Sequence, residues 1–207
     1  MTRKTRVLVA DDHAIVRMGL TSLLGTSPQF DVVGEAFDGE DAVRKSLELH
    51  PDVVIMDISM PRMDGIAATA ALHEKAPDIK VILLTTFNSS ESIAQGLKAG
   101  AVGAMLKNTD NEELLRTIQA IAEGQRVITN EVERLLEEDP PLPDLSPRQL
   151  EIIESIAHGF TNREIAVRLD ISIESVKSHI KILLEKLGAA SRAEAASIAI
   201  KKRLLQP

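Results

Sequence analysis

Asp11 and Asp12 close the apolar run RVLVADD, Asp57 closes VVIMD, Thr85 and Thr86 close VILLTT, and Lys107 closes GAMLK. Carboxylates, hydroxyls and one amine at the ends of such runs can act together only if the runs lie side by side. If they are parallel strands, all of these groups meet at the carboxyl edge of one sheet, which is where open α/β sheets bind ligands. Clustered carboxylates facing a single amine suit a hard divalent cation and a phosphoryl group. The chemistry to expect at that edge is a phosphate switch.

The elements that must position these groups follow from hydrophobic pattern. Short apolar runs at Arg6–Ala10, Asp31–Ala36, Val53–Met56, Val81–Leu84 and Gly103–Leu106 are rich in Val, Ile and Leu, as buried parallel strands are. Helical stretches such as Ala14–Leu24 and Gly39–Leu49 lie between them, and Asn111–Glu123 carries Leu114, Leu115, Ile118, Ile121 and Ala122 at helical spacing. The alternation predicts an α/β domain over residues 1–123, a five-stranded, parallel, doubly wound sheet of flavodoxin-like type. Residues 124–144 then read as a linker. EVERLLEEDPPLPD is acidic and holds Pro140, Pro141 and Pro143, which makes its end extended and stiff, with Glu131–Glu138 able to form a short helix before it.

Composition bounds the class of protein. The chain has 207 residues, 44% of them hydrophobic, enough for one or two globular cores. It has no cysteine, which excludes disulfides and thiolate metal sites. No apolar stretch approaches the roughly 20 residues of a membrane span, and MTRKTRVLVADD reaches carboxylates too early for a signal peptide. The expectation is a soluble protein of the cytoplasm with no membrane partner. The net charge of −7 is uneven. Residues 1–123 carry 12 Lys and Arg against 18 Asp and Glu, 124–144 carry 2 against 6, and 145–207 carry 10 against 7. A basic segment on an acidic chain suggests nucleic-acid contact confined to that segment.

Residues 145–207 read as four helices with legible ends. Ser146-Pro147-Arg148-Gln149 is a capping box with proline at the first helical position, and Thr161-Asn162-Arg163-Glu164 is a second box after Gly159. Ser172 can cap a third helix that Gly188 ends near Leu187, and a fourth is expected from Ala193 to Leu205. The pair 161–169 and 173–187, joined by a tight turn at Asp170–Ser172, has helix-turn-helix proportions. On the third helix Lys177 and Lys181 share a face with Ser178 and His179 beside them, while Val176, Ile180, Leu183 and Leu184 form a packing stripe. Two lysines one turn apart can also be a plain solvated face. The capped architecture around them favours a helix that enters a major groove with its back in the core.

DDHAIVRMGL, DISMPRMDG, LLTTF and GAVGAMLK resemble the receiver domain of bacterial two-component response regulators. LSPRQLEIIESIAHGFTNREIAVRLDISIESVKSHIKILLEKLGA resembles the LuxR-type helix-turn-helix, and the two together resemble the NarL/LuxR (FixJ) family of response-regulator transcription factors. The resemblance implies a phosphorylation-controlled DNA-binding regulator rather than an enzyme, one that catalyses at most its own phosphorylation and dephosphorylation. It implies Asp57 as phosphoacceptor, forming an acyl phosphate. It also implies Mg²⁺ held by Asp12, Asp57 and the backbone carbonyl of Ser59, with Asp11 acting through water. Lys107 would pair with phosphoryl oxygens, and Thr85 would donate its hydroxyl to one of them. The partners implied are a sensor histidine kinase, double-stranded operator DNA and a second copy of the chain once phosphorylated, with RNA polymerase as a further candidate. Lys177, Ser178 and Lys181 would make groove contacts, His179 would lie near phosphate and Arg192, just before the last helix, would also reach phosphate, although His179 and Arg192 each have an ordinary packing or surface reading.

Two positions depart from the family pattern. Ala104 stands where an aromatic is usual, in a chain without Tyr or Trp, and Asn108 follows Lys107 where other receivers have proline. Coupling between phosphate and the rest of the fold must then run through backbone movement and small side chains. An enzyme that uses Asp57 as nucleophile would leave residues 145–207 without a role. A receptor for an acyl-homoserine lactone would need an apolar pocket for which 2% aromatic content is poor.

Overall fold

Val, Ile and Leu at successive positions give the runs Arg6–Ala10, Val53–Met56 and Val81–Leu84 two apolar faces, and such strands are stable only when helices cover both, whereas Asp31–Ala36 keeps Asp31 and Glu35 exposed as an edge strand does. In the computed structural model the five runs pair in parallel with helices on both sides. The structure describes residues 3–86, 90–142, 145–202 and Leu204. Phe87 of the LLTTF motif, Pro143 and Asp144 of the expected linker, and Leu205 at the expected end of the last helix lie outside the described residues. The chain forms two compact units, one up to Pro140 and one from Pro141.

The first unit runs β1 (Thr5–Ala10), α1 (Ala14–Gly25), β2 (Phe30–Ala36), α2 (Gly39–Leu49), β3 (Val53–Asp57), α3 (Gly65–Lys75), β4 (Lys80–Thr85), α4 (Ser90–Lys98), β5 (Gly103–Leu106), α5 (Asn111–Ala122), β6 (Val127–Ile128) and α6 (Asn130–Glu138). The strand order is β2-β1-β3-β4-β5-β6, with every pair parallel. The period-two alternation of a strand divides the core. Val7, Val9, Ile55, Ile82 and Met105 pack with Leu20 and Leu24 of α1 and Ile118 and Ile121 of α5. Leu8, Met56, Leu83, Ala104 and Leu106 pack on the opposite face with Leu72 of α3, Ile93 of α4 and Val132 of α6. Because β1 pairs with β2 on one side and β3 on the other, the winding reverses at β1, and a crevice opens at the carboxyl ends of β1 and β3.

The sheet has six strands, which corrects the expected five. β6 is only two residues long and pairs Val127 with Gly103 and Ile128 with Ala104. A strand that short leaves no run to read in a sequence. Gly124, at φ +93°, turns the chain out of α5 towards it. Residues 124–144, expected as a linker, therefore contain β6 and α6, and Val132, Leu135 and Leu136 of α6 pack into the sheet core.

The second unit holds α7 (Pro147–Ala157), α8 (Asn162–Leu169), α9 (Ile173–Leu187) and α10 (Arg192–Lys201). Both capping boxes are formed, at Ser146 with Gln149 and at Thr161 with Glu164. Ser172 caps α9, and Gly188, at φ +61°, ends it. Ile152, Ile153, Ile165, Val176, Leu183, Ala195 and Ala199 make its core. The last helix ends at Lys201, short of the expected Leu205. The Leu204 amide donates to the Ala199 carbonyl at 2.9 Å and Leu204 packs on the core, which draws the chain out of the helix.

One close approach ties the sheet edge to α3. The Gly65 amide donates to the Ile58 carbonyl at 2.9 Å, and a Cβ on Gly65 would stand 2.0 Å from the Asp57 carbonyl oxygen. That oxygen is backbone at the end of a central strand and cannot give way cheaply. Gly65→Ala is therefore expected to lower the stability of the first unit by about 2 kcal/mol, the scale of core overpacking. Urea unfolding of the variant beside its parent checks this, and an unchanged midpoint would show that the loop can yield.

Candidate functional site

β1 delivers Asp11 and Asp12 to the crevice and β3 delivers Asp57. The Asp11 amide donates to the Ala36 carbonyl at 3.1 Å, which continues the β1–β2 ladder one residue past the strand and holds Asp11 buried. One carboxylate oxygen of Asp11 accepts the His13 amide at 2.8 Å, and the other lies 2.7 Å from Lys107 Nζ. The same ammonium lies 3.0 Å from Asp57 Oδ2. Lys107 follows β5, and its amide donates to the Thr85 carbonyl at 2.7 Å, so the lysine is set by the β4–β5 ladder. Asp12 is the outer member of the group, with a side chain 31% exposed.

His13 belongs to this cluster although the sequence reading gave it no role. Its Nδ1 lies 2.6 Å from Asp12 Oδ1 and 3.4 Å from Asp11 Oδ1. One ligand atom from each of Asp11, Asp12, His13 and Asp57 falls within 4.8 Å of the others. Its position directly after the paired aspartates was the available signal, yet a helix-start histidine has no period to mark it.

Burial raises the Asp57 pKa above the usual carboxylate range; the hydrogen bond and charge of Lys107 offset part of that, while Asp11 and Asp12 push it further up. For Lys107 burial works against the charge, but Asp11 and Asp57 overcome it and hold the ammonium above its ordinary pKa. Three carboxylates with one ammonium leave the crevice short of positive charge. Carboxylate oxygens are the donors hard divalent cations prefer, so the residues present fit such an ion.

Thr85 and Ser59 are less directly engaged. Thr85 is buried at the end of β4, and its hydroxyl donates to the Thr86 carbonyl at 2.7 Å rather than to Asp57. Ser59 is exposed, two residues past Asp57 in the β3–α3 loop.

In the second unit α9 presents Lys177 and Lys181 exposed, one turn apart, with Val176 and Leu183 buried behind them. Ser178 turns its hydroxyl back to the Glu174 carbonyl at 3.0 Å, and His179 is half-buried. Arg192 is tied inward, donating to the Phe160 carbonyl at 2.5 Å and to Asn162 Oδ1 at 3.4 Å. It therefore fastens the start of α10 to the start of α8.

Known proteins share both units. Residues 7–119 match the family described as Response regulator receiver domain, and residues 143–199 match that of Bacterial regulatory proteins, luxR family. The chain is 39% identical over 208 residues to the Transcriptional regulatory protein LiaR of Bacillus subtilis, covering 97% of this chain and 99% of that one. A structure of two RcsB dimers bound to two parallel DNAs is similar at a TM-score of 0.69 and 29% identity, with 97% and 99% of the two chains covered. So is RcsB from Salmonella enterica serovar Typhimurium bound to promoter rprA in the presence of phosphomimetic BeF3-, at a TM-score of 0.68 and 30% identity, with 94% and 98% covered.

The raised pKa of Asp57 has a consequence for stability. A carboxyl whose folded pKa lies above its unfolded value contributes stability that is present below the unfolded value and lost as pH rises through the folded one. Asp57→Asn keeps the shape and removes the charge, and Lys107 retains Asp11. Without divalent cations at pH 7 the variant is expected to be more stable than its parent by on the order of 1 kcal/mol. The difference should fade below about pH 4, where the carboxyl is protonated in both states. Urea unfolding at several pH values measures it, and a variant less stable at pH 7 would contradict the electrostatic account.

Proposed function

This chain belongs to the family of two-component response regulators that join a receiver domain to a LuxR-type helix-turn-helix, and from that premise we propose that Asp57 is its phosphoacceptor and α9 its operator-reading helix. Proteins of this family are phospho-regulated, DNA-binding transcription regulators, and this chain is one of them. The observation that carries the assignment is the Lys107 ammonium lying between Asp11 and Asp57 at the winding reversal of the sheet. We assign the receiver function to residues 1–123, with β6 and α6 of the expected linker 124–144 packed onto its sheet so that only the chain around Pro140 and Pro141 connects the units, and DNA binding to 145–207.

The Asp57 carboxylate attacks phosphorus in a phosphohistidine of a sensor kinase or in acetyl phosphate. The new bond is a carboxylate O–P bond, and the bond to the imidazole nitrogen or to acetate breaks. Lys107 already touches Asp57 and is held charged, so it can follow the phosphoryl oxygens as negative charge moves onto Asp57. Thr85 reaches the phosphoryl group by rotating its hydroxyl away from the Thr86 carbonyl. Asp12, Asp57 and the Ser59 carbonyl would hold Mg²⁺, with Asp11 acting through water. Both oxygens of Asp11 are engaged, by Lys107 and by the His13 amide, which suits the indirect role. Held there, such an ion would neutralise charge on the phosphoryl donor.

The phosphorylated chain acts as a homodimer on double-stranded operator DNA, in the cytoplasm. RcsB dimers on DNA are the similar structure that supports this reading. Ala195 and Ala199 of α10 close the core of their own unit, while Ile200 remains 61% exposed and available to a second copy. Contact with RNA polymerase is part of the same reading. Among the described residues no helix is long and apolar enough to cross a membrane.

Acetyl phosphate with Mg²⁺ is expected to add one phosphoryl group to the protein and none to Asp57→Asn. Intact-mass analysis checks this, and an Asn variant labelled like its parent would remove Asp57 from the role. On DNA, Lys177→Ala or Lys181→Ala is expected to cost about 1–3 kcal/mol where the lysine reads a base, and to weaken all sequences alike where it touches only phosphate. Binding to matched and scrambled operators at one salt concentration separates these outcomes. If both variants bind the operator like the parent, α9 is not the reader.

A further inference from the structure

Arg62, in the loop between Asp57 and α3, has no part in the phosphoacceptor reading, and its backbone is unusual. Its φ is +64°, a left-handed conformation that glycine takes freely and a residue with a Cβ does not. The Met63 amide donates to the Pro61 carbonyl at 2.8 Å, so Arg62 is the centre of a three-residue turn. With positive φ that turn is rare and strained. Such a conformation persists where the surroundings over-determine it.

The surroundings of Arg62 do so through its side chain. The guanidinium pairs with Asp38, whose carboxylate is 1% exposed, and lies over the Phe37 ring, 5.0 Å from its centroid. The other oxygen of Asp38 accepts the Asp41 amide at 2.7 Å and caps α2. A planar guanidinium can pair and stack at once, which an ammonium cannot. The two loops also meet through their backbones. The Gly39 amide donates to the Met63 carbonyl at 3.0 Å, and a Cβ on Gly39 would stand 2.5 Å from that oxygen. The loop carrying Ser59 is thus fastened to α3 at Gly65 and to the β2–α2 loop at Arg62 and Met63.

The geometry points to Arg62 as a positioning residue that, through buried Asp38 and the face of Phe37, holds the β3–α3 loop so that Asp57 and the Ser59 carbonyl are set for a divalent cation and an incoming phosphoryl group. This rests on the phosphoacceptor reading. Without the tie the loop keeps its backbone anchors at Gly65 and Met63 but loses the side-chain brace on the turn at Arg62, and the oxygens on either side of Ile58 hold their spacing less firmly. Groups that orient metal ligands from outside the ligand set commonly govern affinity as strongly as this.

The test uses the full chain and three variants. Arg62→Gly with Asp38→Asn removes the tie while sparing the turn, the cap on α2 and the charge balance. Arg62→Lys keeps a cation on Asp38 and loses the stack, and Phe37→Leu loses the same stack from the other side. Mg²⁺ titration by calorimetry is expected to show about a tenfold loss of affinity in the double variant, and smaller, matching losses in the other two. At saturating Mg²⁺ the maximal rate of phosphorylation by acetyl phosphate should fall in the same order while KM for the donor stays constant. Affinity and maximal rate in the double variant equal to the parent, or Arg62→Lys as impaired as the double variant, would overturn the inference. Should the double variant not fold, Arg62→Lys and Phe37→Leu decide the matter, and parental affinity in both overturns it. If the parent binds Mg²⁺ but takes no phosphoryl group, the phosphoacceptor reading fails by itself and the titration still decides the role of Arg62.

Discussion

Two carboxylates buried at one sheet edge repel each other, and the Lys107 ammonium stands between them, 2.7 Å from Asp11 and 3.0 Å from Asp57. Burial opposes the charge on Asp57 and on Lys107, so the arrangement survives because each group lowers the cost of its neighbour. The compensation is unequal. Lys107 is held charged by two partners, whereas Asp57 shares one ammonium with Asp11 and has Asp12 nearby, and its charge is resisted. The crevice is built to take more positive charge, and an Asp57 that is costly to ionise without it is the group whose modification changes the balance most. A phosphoryl group there carries roughly −1.5 to −2 charges in place of the single charge of the carboxylate. The structure around it, from the β4–β5 ladder that sets Lys107 to the close contact at Gly65, serves to keep these few atoms within reach of one another.

Much of that arrangement is legible in residue order because parallel strands leave a strong trace. Val7, Val9, Ile55 and Ile82 lie on one face, and Leu8, Met56 and Leu83 on the other, so runs apolar on both faces announced a covered sheet. The polar residue that ends each run then had to appear at the carboxyl edge. Asp11, Asp57, Thr85 and Lys107 could be placed there with no knowledge of any side-chain contact. The helical unit was legible for a different reason. Its boundaries are written in local chemistry, at Ser146 with Gln149, Thr161 with Glu164, and Gly188, and local hydrogen bonds need no tertiary context.

What escaped the sequence has no period and no local signature. β6 is two residues long and exists because β5 offers a free edge, so nothing in Val127–Ile128 alone marks it. α6 was readable as a short helix but not as part of the sheet core, because the partners of Val132 come from β5 and α4, far away in the chain. The His13 ring meets Asp12 only because the start of α1 turns it there. Arg62 reads as a surface arginine in a loop, and its positive φ and its partners Phe37 and Asp38 emerge only when two loops are brought together. The hydroxyl of Thr85 shows the same limit on a smaller scale. The strand placed the residue at the site, but which carbonyl the hydroxyl faces is a matter of rotamer.

α6 also explains how this chain accommodates Ala104. An aromatic ring at that position would need space on the face of the sheet beside β4, and Ala104 is fully buried there with Ile93 of α4 and Val132 of α6 in the same core cluster. The Thr129 amide donates to the Ala104 carbonyl at 3.2 Å, so the start of α6 is bonded to the very residue whose side chain is small. At the other end of α6 the Ser90 hydroxyl, at the start of α4, donates to Asp139 at 3.0 Å. The face that an aromatic ring at this position would occupy is therefore filled by a helix fastened at both ends to the elements that flank Thr85. Close-packed interfaces of this kind shift between discrete arrangements rather than deforming smoothly. Packing and hydrogen bonds thus join Ala104, α4 and α6 on the face where a side chain as large as tyrosine would otherwise stand.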